Sequence, residues 1–340
     1  MAQCDGRVSM LTRRHVVVGF GGFGILGPAN PAVAAEGATL AFGGLEYTWS
    51  LLFVSEARKI WNKHGVDITA INFTAGRESM QAVLGGSAQF GNVTDTPVVF
   101  AAMRGLEPLI LASCSRYSRD MAIAMGPNSK ADAKDPSSLK GKTIATRVGT
   151  SGHYYLSRYL RLGGLKDNDV NIVDLDSNNM IAAVIRGSID GFSWSVGIAE
   201  KAVAASNGAI FVMTEEGIER VFVSHQLLIT NRQTLERRNL LDSAVRVLLD
   251  TESSMLTDRN WPNEIATRVR SDAETVAKNT TVFEFKIKLD KALLDDLVIQ
   301  GKWAIEVGLA KDPGKDLRAL FRGILVPEPL RAAAPDRVDL

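Results

Sequence analysis

The feature that most constrains the fold is the alternation of short apolar strands with amphipathic helices along the first third of the chain. Patterns typical of strands occur at residues 39–43, 67–73, 90–93 and 109–113, with helical spacing of apolar residues between them. This alternation predicts an α/β protein with a largely parallel sheet. In such sheets ligands bind beyond the carboxyl ends of the strands, so we expect the turns that follow these strands to form one rim of a binding site.

These turns supply the first candidate site residues. Thr96 is predicted to cap a helix that has Pro97 at its first position. Arg77 and Arg116 could each form a bidentate pair with a carboxylate or sulfonate, or could simply face water. Glu46 could pair with an ammonium group of a zwitterionic ligand, or could be a solvated charge. The candidates on this rim are Gly44, Glu46, Tyr47, Gly76, Arg77, Asp95, Thr96, Ser113 and Arg116.

A second α/β unit contains the stretch KTIATRVGTSGHYY, residues 142–155. Residues 143–146 are predicted to form a strand, and the turn at Gly149 leads into a helix with Thr150 or Ser151 as its N-cap. The free amides at the start of this helix, its dipole and two hydroxyl groups would together suit an anion. The alternative is that both hydroxyls cap the helix and contact only water. Gly152 and His153 follow in the same turn and are also candidates.

The N-terminus predicts export from the cytoplasm. The arginine pair Arg13-Arg14 precedes an apolar run at residues 16–26, and small residues follow up to Ala35. This pattern predicts a twin-arginine signal peptide over residues 1–35, with Met1 or Met10 as the start, and a periplasmic location. The alternative is a cytosolic helix with two chance arginines. The run is shorter than the ~20 residues needed to span a bilayer, which favours export over anchorage.

Composition excludes several classes of function. The 340 residues are 46% hydrophobic and 23% charged, which is ordinary for a soluble globular protein with room for two domains. The formal net charge is +1 and no basic run is interleaved with aromatic residues, so nucleic acid is not an expected partner. The sequence has no zinc-type cluster, P-loop or G-x-S-x-G motif, and no metal or cofactor is predicted.

Three segments, residues 85–105, 137–165 and 182–202, together resemble the solute-binding proteins of ABC importers for alkanesulfonates, taurine and nitrate. The resemblance extends over about residues 39–230. It implies a periplasmic-binding-protein type 2 fold, in which two lobes are joined by a hinge that the chain crosses twice. The expected organisation is a lobe I of residues 36–117 and 222–325, a lobe II of residues 118–221, and a loose tail at residues 326–340.

The resemblance also implies a function and site residues. Such a protein captures a small organic anion, such as a sulfonate, a carboxylate or a nitrate-like ion, and presents it to an inner-membrane permease; we expect a monomer. The family's tryptophan is matched at Trp194, which would supply an apolar wall. The family continues with Asp-Pro, whereas this chain continues with Ser195-Val196. Gly152 stands where a third hydroxyl residue is common, which predicts a larger space there.

Two alternative functions remain open at this stage. One is an enzyme on the same fold, of the sulfinate-cleaving type, that uses Cys114 and His153; the competing interpretation of Cys114 is an inert buried thiol. The other is a sensor subunit that passes its closed state to a signalling partner. Removal of residues 1–35 would leave Cys114 as the one cysteine, which excludes an internal disulfide.

Overall fold

The computed structural model describes residues 35–340, so the predicted signal peptide lies outside the described residues except for Ala35. Twelve strands in this range form two sheets. The strands are β1 Glu36–Phe42, β2 Val66–Asn72, β3 Phe90–Thr94, β4 Leu109–Tyr117, β5 Met121–Met125, β6 Thr143–Thr146, β7 Asn171–Asp174, β8 Gly191–Ser195, β9 Phe211–Val212, β10 Ser224–Thr230, β11 Glu284–Asp290 and β12 Val338–Asp339.

Helices pack around both sheets and follow most of the strands. The α-helices are α1 Ser50–Ala57, α2 Ile60–Lys63, α3 Gly76–Leu84, α4 Asp95–Met103, α5 Ser151–Leu162, α6 Ser177–Ile185, α7 Val196–Ala205, α8 Arg238–Thr257, α9 Trp261–Ile265, α10 Ala273–Asn279, α11 Lys291–Glu306, α12 Leu317–Arg322 and α13 Glu328–Ala333. Within residues 35–340 no helix has both the length and the apolar character that crossing a membrane requires.

The first sheet has seven strands in the order β12-β11-β4-β10-β3-β1-β2. β1 pairs in parallel with β2 and β3, as the sequence predicted, whereas β10 lies antiparallel between β3 and β4. Residues 224–230 therefore return the chain to the first sheet after the strands of the second sheet. The insertion of β10 makes the sheet mixed, which the alternation at the start of the chain could not reveal. All seven residues of β10 are buried, consistent with a central strand.

The second sheet has five strands in the order β7-β6-β8-β5-β9. β6 pairs in parallel with β7 and β8, and β5 is antiparallel to β8 and β9. The strand predicted at residues 143–146 has those same bounds, and the helix after it begins at Ser151 with Thr150 as N-cap, as predicted. The strands of this sheet come from one continuous stretch of chain, residues 121–212.

Left-handed residues interrupt two segments whose apolar spacing is that of a continuous helix. Residues 47–64 are divided at Lys59, whose φ is 52°, into α1 and α2. Residues 264–276 are divided between α9 and α10, and Arg270 lies between these helices with φ 56°. Apolar spacing continues across both breaks, so periodicity alone did not indicate them.

The prediction of a loose tail at residues 326–340 was wrong. Val326 is buried, α13 places Leu330 in the core at 0% exposure, and β12 pairs in parallel with β11. The strand β11 was also missed, although EFKIKLD alternates polar and apolar residues as a half-buried strand should. The apolar side chains of the tail bury enough surface to fix its position despite the surrounding prolines and alanines.

The helix α5 of the second sheet packs on α11 beside the first sheet. Trp303 of α11 is 2% exposed; its Nε1 donates to Ser157 Oγ at 2.7 Å, and its ring lies 4.8 Å from that of Tyr154. On the exposed side, Arg161 Nη2 lies 2.9 Å from Glu306 Oε1. These contacts fix the N-terminus of α5 opposite the carboxyl ends of β1 and β3.

Candidate functional site

A small cavity lies where the two sheets face each other. Its volume is about 30 Å³, and a water needs roughly 10–15 Å³ on this measure, so it has room for about two waters. We call it the inner cavity. Its lining includes the candidates Glu46, Gly76, Thr150, Ser151 and Trp194. The other residues that line it are Gly43, Thr48, Trp49, Ala75, Thr94, Pro97 and Met121.

Two helix N-termini meet at this cavity. Thr94 is the N-cap of α4 and Ser151 is the first residue of α5; their hydroxyl oxygens are 3.1 Å apart and both side chains are buried. The sequence predicted Thr96 as the cap of α4. The cap is instead Thr94, because the helix begins at Asp95. Thr150 Oγ1 donates to Arg147 O at 2.7 Å, which fixes the turn before α5. The first turns of α4 and α5 and two hydroxyls therefore border one space. At α4 the Thr96 amide is bonded to Asp95 Oδ1 at 3.0 Å and Pro97 has no N–H, so most of the unbonded amides come from α5. This arrangement suits an anion.

A carboxyl group reaches the same cavity from the first sheet. Glu46 follows β1 and accepts a hydrogen bond from Trp194 Nε1 of β8 at 3.0 Å, so this bond joins the two sheets. Burial raises the pKa of Glu46, although the hydrogen bond from Trp194 and the charge of Lys201 oppose this shift. Trp194 is 7% exposed and is one of the residues that line the inner cavity.

Two further cavities lie on the other side of Glu46. The side cavity, of about 30 Å³, is lined by Tyr47 and Ser195 among others, and the outer cavity, of about 260 Å³, is lined by Gly44. Glu46 lines the inner, side and outer cavities. Tyr47 OH donates to Ser271 Oγ at 3.2 Å. The candidates Gly44, Tyr47 and Ser195 are therefore adjacent to the inner cavity but outside it.

Gly152 does not enlarge the cavity, contrary to the sequence prediction. A Cβ at this position would lie 2.9 Å from Trp194 Cε3 and 3.1 Å from Ser193 O. The space is therefore filled by β8 and the indole ring. Glycine at this position allows Trp194 to pack closely against the first turn of α5.

His153 points away from the cavity toward α11. Its ring lies 5.6 Å from that of Trp303 in an edge-on arrangement, and its Nε2 lies 3.5 Å from Asp167 Oδ2. The amide of Gly149 donates to His153 Nδ1 at 3.4 Å. These contacts are those of a residue that fixes the turn before α5.

Asp95 and Thr96 are bonded within the protein. Asp95 accepts hydrogen bonds from Ser224 Oγ at 2.6 Å, from the His225 amide at 3.0 Å and from Gln300 Nε2 at 2.6 Å. Burial raises the pKa of Asp95 to about 6, although the charge of His225 and these hydrogen bonds oppose the shift. Thr96 Oγ1 donates to Gln300 Oε1 at 2.7 Å. These side chains join α4 to β10 and α11.

Ser113 and Arg116 were predicted to lie in a turn. They lie instead in the strand β4, which is longer than predicted. β4 continues to Tyr117 because it pairs with β10 on one side and β11 on the other. Ser113 Oγ lies 3.1 Å from His225 Nδ1, and His225 Nε2 lies 2.9 Å from Asp296 Oδ2. This resembles a hydrolase triad in residue types, but Ser113 and His225 are 0% exposed, which closes them off from any substrate. Arg116 Nε lies 3.7 Å from the same Asp296 carboxylate.

Arg77 lies on a different surface between the sheets. It lines a cavity of about 270 Å³ with Phe100, Arg104 and Gly149, and its Nη2 lies 3.8 Å from Glu78 Oε1. Arg77 was predicted as a possible ligand contact, but it does not line the inner cavity. The cationic side chains that share a cavity with Glu46 are instead Lys201 and Arg270, which line the outer cavity.

Cys114 lies in the middle of the first sheet at 0% exposure, and burial raises the pKa of its thiol. A thiol that stays protonated and inaccessible is a poor nucleophile. The pairing of Cys114 with His153 is not seen, because the contacts of His153 are with Gly149, Asp167 and Trp303. Among residues 35–340 no group of three or more His, Cys, Asp or Glu side chains is placed to hold a metal ion.

Sequence reasoning missed several residues of these cavities. Thr94 could have been found from its position directly before an Asp-Thr-Pro helix start. Trp49 has the helical spacing of a core residue, yet it lines the inner cavity while its Nε1 donates to Gly43 O at 3.1 Å. No local sequence pattern marks Lys201 or Arg270 as a cavity residue. They come together only because α7 packs against the segment between α9 and α10.

The fold is that of periplasmic binding proteins. The alkanesulfonate-binding protein SsuA from Xanthomonas axonopodis pv. citri, solved with MOPS bound, aligns with a TM-score of 0.72 and 19% identity, over 86% of this chain and 99% of that one. The nitrate-binding protein NrtA from Synechocystis PCC 6803 aligns with a TM-score of 0.72 and 13% identity, over 89% of each chain.

The NMT1/THI5 like family matches residues 50–258, and the chain belongs to this family. At the level of sequence, the taurine-binding periplasmic protein of Escherichia coli K12 is 30% identical over 132 residues, which cover 38% of this chain and 40% of that protein. The chain spans about half the length of the curated relatives that it matches. The names of these relatives describe binding proteins, in line with the prediction that the chain is not an enzyme.

Proposed function

We propose that the chain is an exported solute-binding protein of an ABC importer that captures a small organic anion between its two sheets. The observation that carries this proposal is the meeting of α4 and α5 at the inner cavity, where Thr94 and Ser151 place two hydroxyls 3.1 Å apart. A sulfonate, a carboxylate or a nitrate-like ion would accept hydrogen bonds from the hydroxyls and helix amides without a cationic side chain. The relatives named for sulfonates, taurine and nitrate support this class of ligand.

Ligand binding requires the cleft to open. The inner cavity, of about 30 Å³, is too small for a sulfonate with its carbon chain. At the inner cavity, the bonds from Trp194 to Glu46 and between Thr94 and Ser151 would break as residues 36–117 and 222–325 separate from residues 118–221. The contacts of α5 with α11, Trp303 to Ser157 and Arg161 to Glu306, also join these two parts and would have to rearrange or act as part of the hinge. The chain passes between these lobes twice, near residues 118–120 and 213–223, and we place the hinge there. The closed state would then be the form that a permease recognises.

Thermal unfolding against a panel of anions tests the function. The panel contains ethanesulfonate, taurine, nitrate, acetate and benzoate, with ethanol and choline as uncharged and cationic controls. A ligand at 100 times its Kd should add ~2.7 kcal/mol to the free energy of unfolding. Stabilisation by at least one anion and by neither control is expected. If no anion of the panel stabilises the protein, the proposal is wrong.

The binding role is separated from catalysis by Cys114→Ser. We expect the variant to bind the same anion with unchanged Kd, because Cys114 is buried in β4 away from the cleft.

The export route is tested by replacing Arg13 and Arg14 with lysine. Loss of the protein from the periplasm is expected, whereas unchanged export would exclude the twin-arginine route.

A further inference from the structure

The outer cavity carries positive charge at the edge of the cleft. Lys201 of α7 and Arg270, from the segment between α9 and α10, both line it, and both side chains are exposed. Neither makes an ion pair with any residue in the range 35–340. Arg270 has a left-handed backbone, with φ 56°, which a long side chain adopts at some cost. Two cations from different parts of the fold are therefore held at one opening without a protein partner.

The N-terminus of α7 lies between these cations and the inner cavity. Its N-cap is Ser195, whose side chain forms no capping bond. Ser195 is 1% exposed and lines the side cavity. Its Oγ makes no well-formed hydrogen bond among the described residues, although it is near enough to the Glu46 carboxyl to lower the pKa of that group. A buried hydroxyl left unpaired costs ~1–3 kcal/mol, so its presence at a cavity wall points to a ligand atom as its partner.

Tyr47 fixes the geometry of this region. Its ring packs on α7, where a Cβ on Gly197 would lie 3.1 Å from Tyr47 Cε2. Its hydroxyl donates to Ser271 Oγ, next to Arg270 in the chain. Tyr47 thus connects the start of α7 to the segment that carries Arg270. The positions of the unpaired serine and of both cations are set by packing rather than by a loop alone.

The balance of charge at the outer cavity favours an anion. Against Lys201, Arg270 and the positive end of α7 stands Glu46, the one acid among the residues that line this cavity, whose carboxyl already accepts a bond from Trp194. The positive end of α6 is offset by its own N-cap, Asp176, which lies 3.5 Å from Arg147 Nε; Arg147 is shared with Glu78 and Asp174. A serine cap also leaves the α7 N-terminus without the negative charge that an aspartate would supply.

We propose that Ser195, Lys201, Arg270 and the first amides of α7 bind a second anionic group of the ligand, so that the protein captures a small dianion such as a sulfocarboxylate or dicarboxylate. This inference rests on the proposed function: one anionic group occupies the inner cavity, and the chain between the groups passes Glu46. The outer cavity, at about 260 Å³, has room for a carboxylate and its waters. The side cavity, which Ser195 lines, adjoins it, because Glu46, Ile198 and Lys201 line both.

Calorimetry with matched ligands tests the inference. The ligands are 1-propanesulfonate, 3-sulfopropionate and homotaurine, which share a sulfonate and differ at the far end. We expect 3-sulfopropionate to bind at least about tenfold more tightly than 1-propanesulfonate. Lys201→Met should weaken 3-sulfopropionate roughly tenfold, the loss of one charge-assisted bond, and leave 1-propanesulfonate unchanged. Arg270→Asn, chosen because asparagine tolerates a left-handed backbone, should act in the same way.

Two further variants complete the design. Ser195→Asp places a negative charge at the N-terminus of α7 and should remove the preference for the dianion. Lys302→Met changes an exposed lysine of α11 and serves as the control, with no expected effect on any ligand. Because Lys201 and Arg270 are exposed, the preference should also shrink as salt is raised.

The outcomes separate this inference from the proposed function. If the two sulfonates bind equally, or Lys201→Met weakens both alike, the second anion site is refuted while the binding function stands. Tighter binding of homotaurine than of 3-sulfopropionate would also refute it, and would instead assign an ammonium group to Glu46. If none of the three ligands nor any anion of the thermal panel binds, the proposed function itself fails and the inference falls with it.

Discussion

Thr94 and Ser151 lie 57 residues apart in the chain, yet their hydroxyl oxygens are 3.1 Å apart at the boundary between the two sheets. Each belongs to the N-terminal end of a helix, and each is buried. Their contact marks the point where the anion-favouring ends of α4 and α5 face one another. It also supplies the most direct test of where a ligand binds.

Replacing either hydroxyl should weaken anion binding. Ser151→Ala and Thr94→Val each remove one donor, and a loss of ~1–1.5 kcal/mol, roughly tenfold in Kd, is expected for each. Titration calorimetry with the best anion of the panel measures the change. Ser129→Ala is the matched control, because Ser129 is also buried but bonds Gly126 O away from the cleft. An unchanged Kd in both cleft variants would place the ligand elsewhere.

The pKa of Asp95 gives a prediction about stability and pH. This pKa is raised from 3.8 to about 6 in the folded protein, so protonation stabilises the fold. The stabilisation is fully present below pH 3.8 and is lost as the pH rises through about 6, a change of ~3 kcal/mol. Urea unfolding of the wild type and of Asp95→Asn between pH 4 and pH 7.5 measures it.

The difference in unfolding free energy between wild type and Asp95→Asn isolates this carboxyl group from the others. We expect the difference to fall as the pH rises from ~4 to ~7 and to stay constant above that. The side-chain NH₂ of Asn at this position would also face the backbone N–H of His225 or the side-chain NH₂ of Gln300, which are donors themselves. One hydrogen bond would be lost, so the variant should be less stable at low pH. A difference that is independent of pH would mean that Asp95 titrates normally.

Gly152→Ala should destabilise the fold although alanine favours helices. The added Cβ would lie 2.9 Å from Trp194 Cε3 and 3.1 Å from Ser193 O, and overpacking costs ~1–3 kcal/mol, more than the helix gain of about 1. Displacement of Trp194 should also weaken anion binding. Gly37→Ala is the control, since its Cβ would meet nothing within 4 Å. Equal stability of both variants would mean that β8 and α5 are not closely packed.

Cys114 should react with thiol reagents only when the protein unfolds. Its thiol is fully buried and its pKa is raised by burial, so the thiolate is scarce and inaccessible. The measurement is the rate of reaction with Ellman's reagent in Cys4→Ser protein, with and without urea. Fast reaction of the native protein would restore the possibility of a catalytic cysteine.

Local sequence signals predicted those parts of the site that depend on neighbouring residues. The strand at residues 143–146 was predicted correctly, and of the two predicted caps, Thr150 and Ser151, the structure has Thr150. Both predictions succeeded because β-branched alternation, glycines and a hydroxyl residue act within one turn of chain. Ser113 and Arg116 were misplaced because β4 is extended by β10 and β11, which come from much later in the sequence. The number of residues that a strand contains depends on its partners, and a local pattern does not include them.

The same limit applies to the surroundings of each candidate. Glu46 was identified from its position after β1, but its bond to Trp194 spans 148 residues and depends on how the sheets meet. Gly152 was expected to leave space, yet the indole of Trp194 fills it. Residue type indicated which groups could contact a ligand, whereas the approach of the two sheets determined which of them share a cavity.

The position of β10 has a consequence for the order of synthesis and folding. β3 and β4 follow each other in the chain, but β10 separates them in the sheet, and β11 and β12 complete that sheet from the last sixty residues. When synthesis has reached residue 223, the first sheet therefore still lacks its central strand β10. The second sheet can close early, but the first must wait for nearly the whole polypeptide, so its folding is largely post-translational and slowed by long loop closures.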